Sequence, residues 1–204
     1  MFCFLHLAYF FCDGVVLLVK FFYICIMDTE KEMHILCRKA SSADFDEAYK
    51  ILRDAAKRMI QLGRRQWDEN YPQKTDLLND LAIGDAYVLE WSGKVVAYAV
   101  VSFAGEPAYD ALTDGQWLSD GSYAVVHRMA VSLQERRTGL GALFFKYVEE
   151  MCVQRGVCSI KVDTNYDNVE MLGLLERLGF VKCGTVFYDR EGGRIERLAF
   201  EKVL

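Results

Sequence analysis

Residues 135–151, ERRTGLGALFFKYVEEM, join two kinds of chemistry in one helix-length run. In the second half, Leu140, Leu143, Phe144, Tyr147, Val148 and Met151 recur at steps of three and four, the period of one buried helical face. The first half places Arg136, Arg137, Thr138, Gly139 and Gly141 where a helix ordinarily carries Ala or Glu. Each glycine weakens a helix by roughly 1 kcal/mol relative to Ala, so something must approach this backbone closely. A helix N-terminus exposes unpaired N–H groups and the positive end of the dipole. Glycines let an anion sit against those amides and arginines add charge, which makes the turn a phosphate or pyrophosphate seat. The plainer alternative is close helix–sheet packing, with the arginines solvated.

Two familiar phosphate loops are excluded. Ala142 and Leu143 follow Gly141 where an ATP-binding loop needs Lys and Ser or Thr, and Phe144 stands where the dinucleotide fingerprint needs its third glycine. Seven cysteines, at 3, 12, 25, 37, 152, 158 and 183, show neither CxxC nor Cys/His ligand spacing. No metal is therefore expected, and the thiols are expected reduced in a cytoplasmic protein. The net charge of −5 argues against a nucleic-acid partner, which needs a basic surface.

The elements that must position these residues follow from hydrophobic period and turn chemistry. HILCRKA (34–40) predicts a strand, and Phe45, Ala48, Leu52, Ala55 and Met59 predict a helix over 44–62 that ends at Gly63. A polar, aromatic linker (64–74) precedes a second short helix. Residues 86–103 form two apolar runs around Ser92-Gly93, a β-hairpin. The long segment 104–121 carries Tyr109 and Trp117, and a loop of that length in a compact domain is usually functional. A strand (122–132) then feeds the glycine-arginine helix. A strand (157–164), a helix from Asn168 to Leu178 and two closing strands complete the order β-α-α-β-β-β-α-β-α-β-β. Hairpins and helical crossovers together predict an α/β domain with a mixed sheet.

The first 32 residues stand apart as an apolar extension to a domain over 33–204. Asp13 and Lys20 interrupt the apolar run. Each costs about 2.5–3.5 kcal/mol in mid-membrane against a return of roughly 0.3–0.6 per Leu, Ile, Phe or Val, so insertion comes out near zero and a membrane role is not expected. A start assigned too early, a marginal anchor and a packed extension all remain open.

One resemblance covers the rest of the chain. HRMAVSLQERRTGLG, containing R-x-x-G-x-G on residues 136–141, followed at the right interval by DTNYDNVEMLGLLERLGF, resembles the GNAT superfamily of acyl-CoA-dependent N-acyltransferases. The similarity runs from about Met33 to Leu204. It implies a mixed, mostly antiparallel sheet flanked by about four helices, with splayed central strands. It also implies acetyl-CoA as co-substrate, with its diphosphate on Arg136, Arg137, Thr138, Gly139, Leu140, Gly141 and Ala142. The pantetheine would pair with the backbone of Met129, Ala130 and Val131, as an added strand does. Asn168 would contact the pantetheine region, though Asn is also a good plain helix N-cap. Leu175 falls at the cofactor-facing place where many members carry the Tyr that protonates the departing thiolate. Tyr188 and Tyr166 are the substitutes on offer.

The implied reaction needs a base for the acceptor's ammonium. His127 is the first choice, since an imidazole titrates near neutral pH. Strand alternation predicts that it shares a face with Met129. Glu90 and Glu106 stand behind it. The acceptor site is expected between linker residues Trp67, Asp68, Glu69 and Tyr71 and loop residues Glu106, Tyr109, Asp114 and Trp117, where aromatics and carboxylates suit an amine. The resulting expectation is an N-acetyltransferase acting by direct transfer on a primary amine of a small molecule, peptide or protein. A non-catalytic acyl-CoA-binding or sensing module is the alternative, kept open by Leu175. A homodimer is left open.

Overall fold

A computed structural model describes residues 35–190 and 193–204. The expectations about the N-terminal extension and its boundary lie outside the described residues. Strands β1 (Ile35–Lys39), β2 (Ala86–Trp91), β3 (Lys94–Ser102), β4 (Tyr123–Val131), β5 (Ser159–Thr164), β6 (Val181–Arg190) and β7 (Gly193–Val203) alternate with helices α1 (Phe45–Gln61), α2 (Lys74–Ile83), α3 (Leu140–Arg155) and α4 (Val169–Arg177) in the expected order. The strands form one sheet, β1-β2-β3-β4-β5-β7-β6. All neighbours are antiparallel except β4 and β5, which are parallel.

The helices cover the sheet because their apolar faces need partners. On one side Phe144, Phe145 and Val148 of α3 and Leu175 of α4 pack on Ala99, Val126, Ile160 and Val162. On the other, Ile51, Leu52 and Ala56 of α1 and Leu77 of α2 pack on Val88, Tyr98 and Ala130. A smaller cluster of Tyr109, Val125, Val186 and Ala199 lies under the 104–121 segment.

Two irregularities shape the centre of the sheet. β4 and β5 pair only at Tyr123↔Ser159, Ala124↔Ile160 and Val125↔Lys161, so beyond Val125 no strand among the described residues pairs with β4 on that side. On its other side the β3 register jumps from Tyr98↔Ala130 to Val100↔His127, leaving Ala99 opposite both Arg128 and Met129. This is a β-bulge, with Arg128 at φ 51°, and bulges bend their strand. The extra residue also inverts the alternation. Met129 joins Val126 against the α3 side, whereas His127 stands on the opposite face beside Tyr109, ring centroids 6.3 Å apart. The shared face predicted for His127 and Met129 therefore does not hold.

The helix expected to open at Arg136 starts at Leu140. Arg137 (φ 63°) and Gly139 (φ 87°) adopt left-handed conformations that no helical turn accommodates. Gly139 is the N-cap, so it costs α3 nothing.

The long segment 104–121 is pinned at both ends of its path. Residues Pro107–Ala111 form a short 3-10 turn that buries Tyr109. Thr113 and Thr185 exchange backbone hydrogen bonds of 2.9 and 2.8 Å. A Cβ at Gly115 would lie 1.9 Å from the Cys183 carbonyl oxygen, so only glycine fits there. The fully buried Glu201 carboxylate then accepts from Leu118 N (2.6 Å), Ser119 N (3.3 Å) and Ser119 Oγ (2.5 Å).

Candidate active site

Two cavities open where β4 parts from β5. The first, about 180 Å3, is a groove between β4 and the α3–α4 side, lined by Met129, Ala130, Val131, Arg136, Gly141 and Asn168 among others. Gly141 keeps it open, because a Cβ there would press to 3.1 Å from Leu174 Cδ2 and 3.7 Å from Met129 Cε. Arg136 reaches Glu170 at 3.4 Å, and Arg64 pairs with the same carboxylate. Two guanidinium groups against one carboxylate leave the groove mouth with surplus positive charge. Arg137, Thr138 and Gly139 are exposed beside it, Ala142 is half-buried, and the Leu140 side chain enters the core. Amides of this first turn precede the first helical bond, Leu143 N–H to Gly139 O.

Asn168 is the N-cap of α4, the plainer of the two roles foreseen for it. Its Oδ1 caps α4 by accepting from Met171 N, and the residue lines both cavities. Leu175 lines neither and is 0% exposed. Its neighbour Leu174 meets the groove instead, since one residue is about 100° around a helix. Tyr166 is also outside both cavities.

The second cavity, about 210 Å3, shares Met59, Met129, Asn168 and Met171 with the groove. At its centre, His127 Nε2 lies 3.1 Å from Glu106 Oε2, and Nδ1 lies 3.6 Å from Asp163 Oδ1. The same Asp163 oxygen accepts 2.9 Å hydrogen bonds from the Tyr109 and Tyr188 hydroxyls. The bond from His127 holds the Glu106 carboxyl below its usual range, helped by the Ala108 N–H and the charge of Arg128. Burial, with the nearby Asp163 charge, pushes the Tyr188 and Tyr109 phenols up. At neutral pH Glu106 is thus a carboxylate and both phenols keep their protons. Because the Tyr188 proton is held by Asp163, that residue is better placed to orient the cluster than to give a proton away.

Other foreseen residues are divided. Trp67 and Tyr71 line this cavity, while Asp68, Glu69 and Asp114 do not. Trp117 donates to the Tyr109 carbonyl at 3.0 Å and packs on its ring, anchoring the segment. Glu90 is tied to Arg38 on β1 at 2.9 Å, outside the cavity. Sequence reasoning missed Gln66, Arg128 and Asp163, all in the cavity wall. Arg128 carried one legible signal, a charge beside His127 in a strand whose other residues are mostly apolar.

Residues 47–180 match the acetyltransferase (GNAT) family. The chain belongs to that family. A GNAT-family acetyltransferase from Streptococcus agalactiae is 30% identical, covers 83% of this chain and 95% of its own, and superposes with a TM-score of 0.73. A GNAT-family acetyltransferase from Listeria monocytogenes shares the fold at 18% identity, TM-score 0.64, over 83% of this chain and 95% of its own. The ribosomal-protein-S18-alanine N-acetyltransferase from Escherichia coli does so at 17% identity, TM-score 0.57, over 83% and 94%. Among curated proteins none matches the sequence. This GNAT chain is an acyl-CoA-dependent acetyltransferase, of a family that uses acetyl-CoA as co-substrate. Among its described residues no helix is long and apolar enough to cross a membrane, and no group of three or more His, Cys, Asp or Glu is placed to hold a metal ion.

Proposed function

We propose that the protein acetylates a primary amine by direct transfer in a ternary complex, with His127 as the base. The carrying observation is the position of His127 between Glu106 and Asp163, in the wall of a cavity that adjoins the groove at the β4–β5 splay. The groove fits the co-substrate: Gly141 leaves room that a side chain would take, Arg136 and Arg64 supply positive charge, and the unpaired β4 edge offers Met129, Ala130 and Val131 for strand-like pairing. The 136–142 turn would hold the diphosphate. Bound acetyl-CoA supplies an activated acetyl thioester.

The chain's own groups then manage the proton. With Nε2–H donated to Glu106, the Nδ1 lone pair is the basic site. A proton taken there from the acceptor's ammonium rests on a nitrogen 3.6 Å from Asp163 Oδ1, so each ring nitrogen faces a carboxylate oxygen. Tyr109 and Tyr188 hold Asp163 in place by donating to it. Thiol release from acetyl-CoA, measured across amines, polyamines, amino acids and peptides, tests the reading. Binding of acetyl-CoA with no release for any of them would sink it.

A further inference from the structure

The walls of the acceptor cavity differ in what they offer a ligand. One wall is acceptor-only and anionic: Glu106 and Asp163, with His127 between them. The opposite character belongs to Gln66, on the linker between α1 and α2, and Arg128, which bonds to the same linker through Tyr71 at 3.1 Å.

Gln66 is oriented by its neighbours. Its Oε1 accepts from Thr164 Oγ1 (2.9 Å), Asn165 N (3.0 Å) and Asn168 Nδ2 (3.0 Å). A backbone N–H can only donate, and Asn168 Oδ1 is already occupied as the α4 cap, so Gln66 cannot be flipped. Its NH2 group therefore carries two N–H bonds with no partner among the described residues. Arg128 is similarly fixed but unsaturated. Asp80 accepts from its Nε and Nη2 and is itself held by Tyr98 OH at 2.7 Å. Tyr71 takes one hydrogen from Nη1. Of five guanidinium N–H groups two remain, on a side chain that keeps 20% of its surface open. Donors of this kind, half-buried in a polar cavity, are costly to leave unpaired and match a carboxylate.

Resting on the amine-acetylation reading above, we infer that the acceptor is a small zwitterion, a free amino acid, whose ammonium faces Glu106, His127 and Asp163 and whose carboxylate is taken by Gln66 and Arg128.

The test uses the full chain, acetyl-CoA and a matched acceptor series: free amino acids, their C-terminal amides and the corresponding amines lacking the carboxyl group. The wild type should favour the free acids by at least about tenfold in kcat/KM, the loss expected for one charge-assisted hydrogen bond. In Gln66→Glu the carboxylate still accepts from Thr164, Asn165 and Asn168 while the NH2 donor becomes an oxygen. That variant should shrink the acid-to-amine ratio by about tenfold or more. Circular dichroism and acetyl-CoA calorimetry verify that it is folded and binds. Amides or simple amines turned over as well as free acids overturn the inference and leave amine acetylation standing. A wild-type preference that Gln66→Glu does not alter overturns the assigned carboxylate seat. Acetyl-CoA binding without thiol release for any acceptor removes the amine-acetylation reading, and this inference with it.

Discussion

The turn before α3 and the cavity beneath the 104–121 segment adjoin, yet they are assembled in opposite ways. Residues 136–142 are contiguous, and what they present is mostly backbone: left-handed Arg137 and Gly139, then the first amides of a sixteen-residue helix. The cavity gathers Gln66, Glu106, His127, Asp163 and Tyr188 from the linker, the long segment and three strands, and what it presents is side chains. Backbone amides recognise an anion whatever the rest of the molecule carries, which suits a co-substrate shared by a whole family. Side chains recruited from distant segments vary independently, which suits an acceptor particular to one member. The first region should therefore govern affinity for acetyl-CoA, and the second should govern turnover and acceptor choice.

The largest test of that separation is His127→Gln. Turnover should fall by about 10²–10⁴-fold, the range for a positioned base, while calorimetric affinity for acetyl-CoA stays near wild type. A parallel loss of affinity would break the separation. Next is Asp163→Asn, which keeps an oxygen for Tyr109 and Tyr188 but removes the charge facing His127 Nδ1. A fall in kcat of roughly tenfold is expected, since a facing charge that shifts a base by one pKa unit is worth about 1.4 kcal/mol. An unchanged kcat and pH profile would reduce Asp163 to a packing residue.

Smaller and on the other side is Gly139→Asp. The new carboxylate would sit at the anion seat on a backbone at φ 87°, where side chains are strained. Acetyl-CoA should bind about tenfold more weakly or worse, with Gly139→Ala separating strain from charge. Near-normal affinity in a folded protein would remove the diphosphate from this turn.

The smallest effect is placed outside both regions. Asp44 accepts from Arg38 at 2.8 and 2.7 Å and from Ser41 N at 2.7 Å. The Arg38 bond holds its carboxyl below the usual range, against the opposing effect of burial. A depressed carboxyl stabilises the fold fully above its unfolded value, near pH 4, and that stability is lost as pH falls through the folded value. Asp44→Asn should cost about 1 kcal/mol, discounted because Arg38 is 32% open to solvent. It should also flatten the acid limb of the thermal midpoint while leaving kcat unchanged. A steeper acid limb would contradict the pairing.

How far each region could be read from the chain follows the same division. Periodicity placed the helices and strands in order, and R-x-x-G-x-G marked the groove, because those signals are local. Register was not legible. Nothing in YAVVHRMAV announces that Arg128 is an extra residue, yet the bulge there puts His127 and Met129 on opposite faces. The start of α3 was misplaced by four residues because Arg137 and Gly139 take positive φ, which composition permits but does not demand. The LLERLGF motif puts Leu175 at the family's tyrosine place, but helix rotation turns Leu174 to the groove and buries Leu175.

The amino-acid sequence by itself determined the element order and the family, since each rests on residues a few positions apart. Only the tertiary structure decided which polar groups share the cavity around His127. Gln66 meets Thr164 across 98 positions and Tyr109 meets Asp163 across 54. Encounters of that kind depend on strand register, on the bulge at Arg128 and on the parting of β4 from β5. All three are set by how whole faces bury against one another, and no short stretch of chain encodes them.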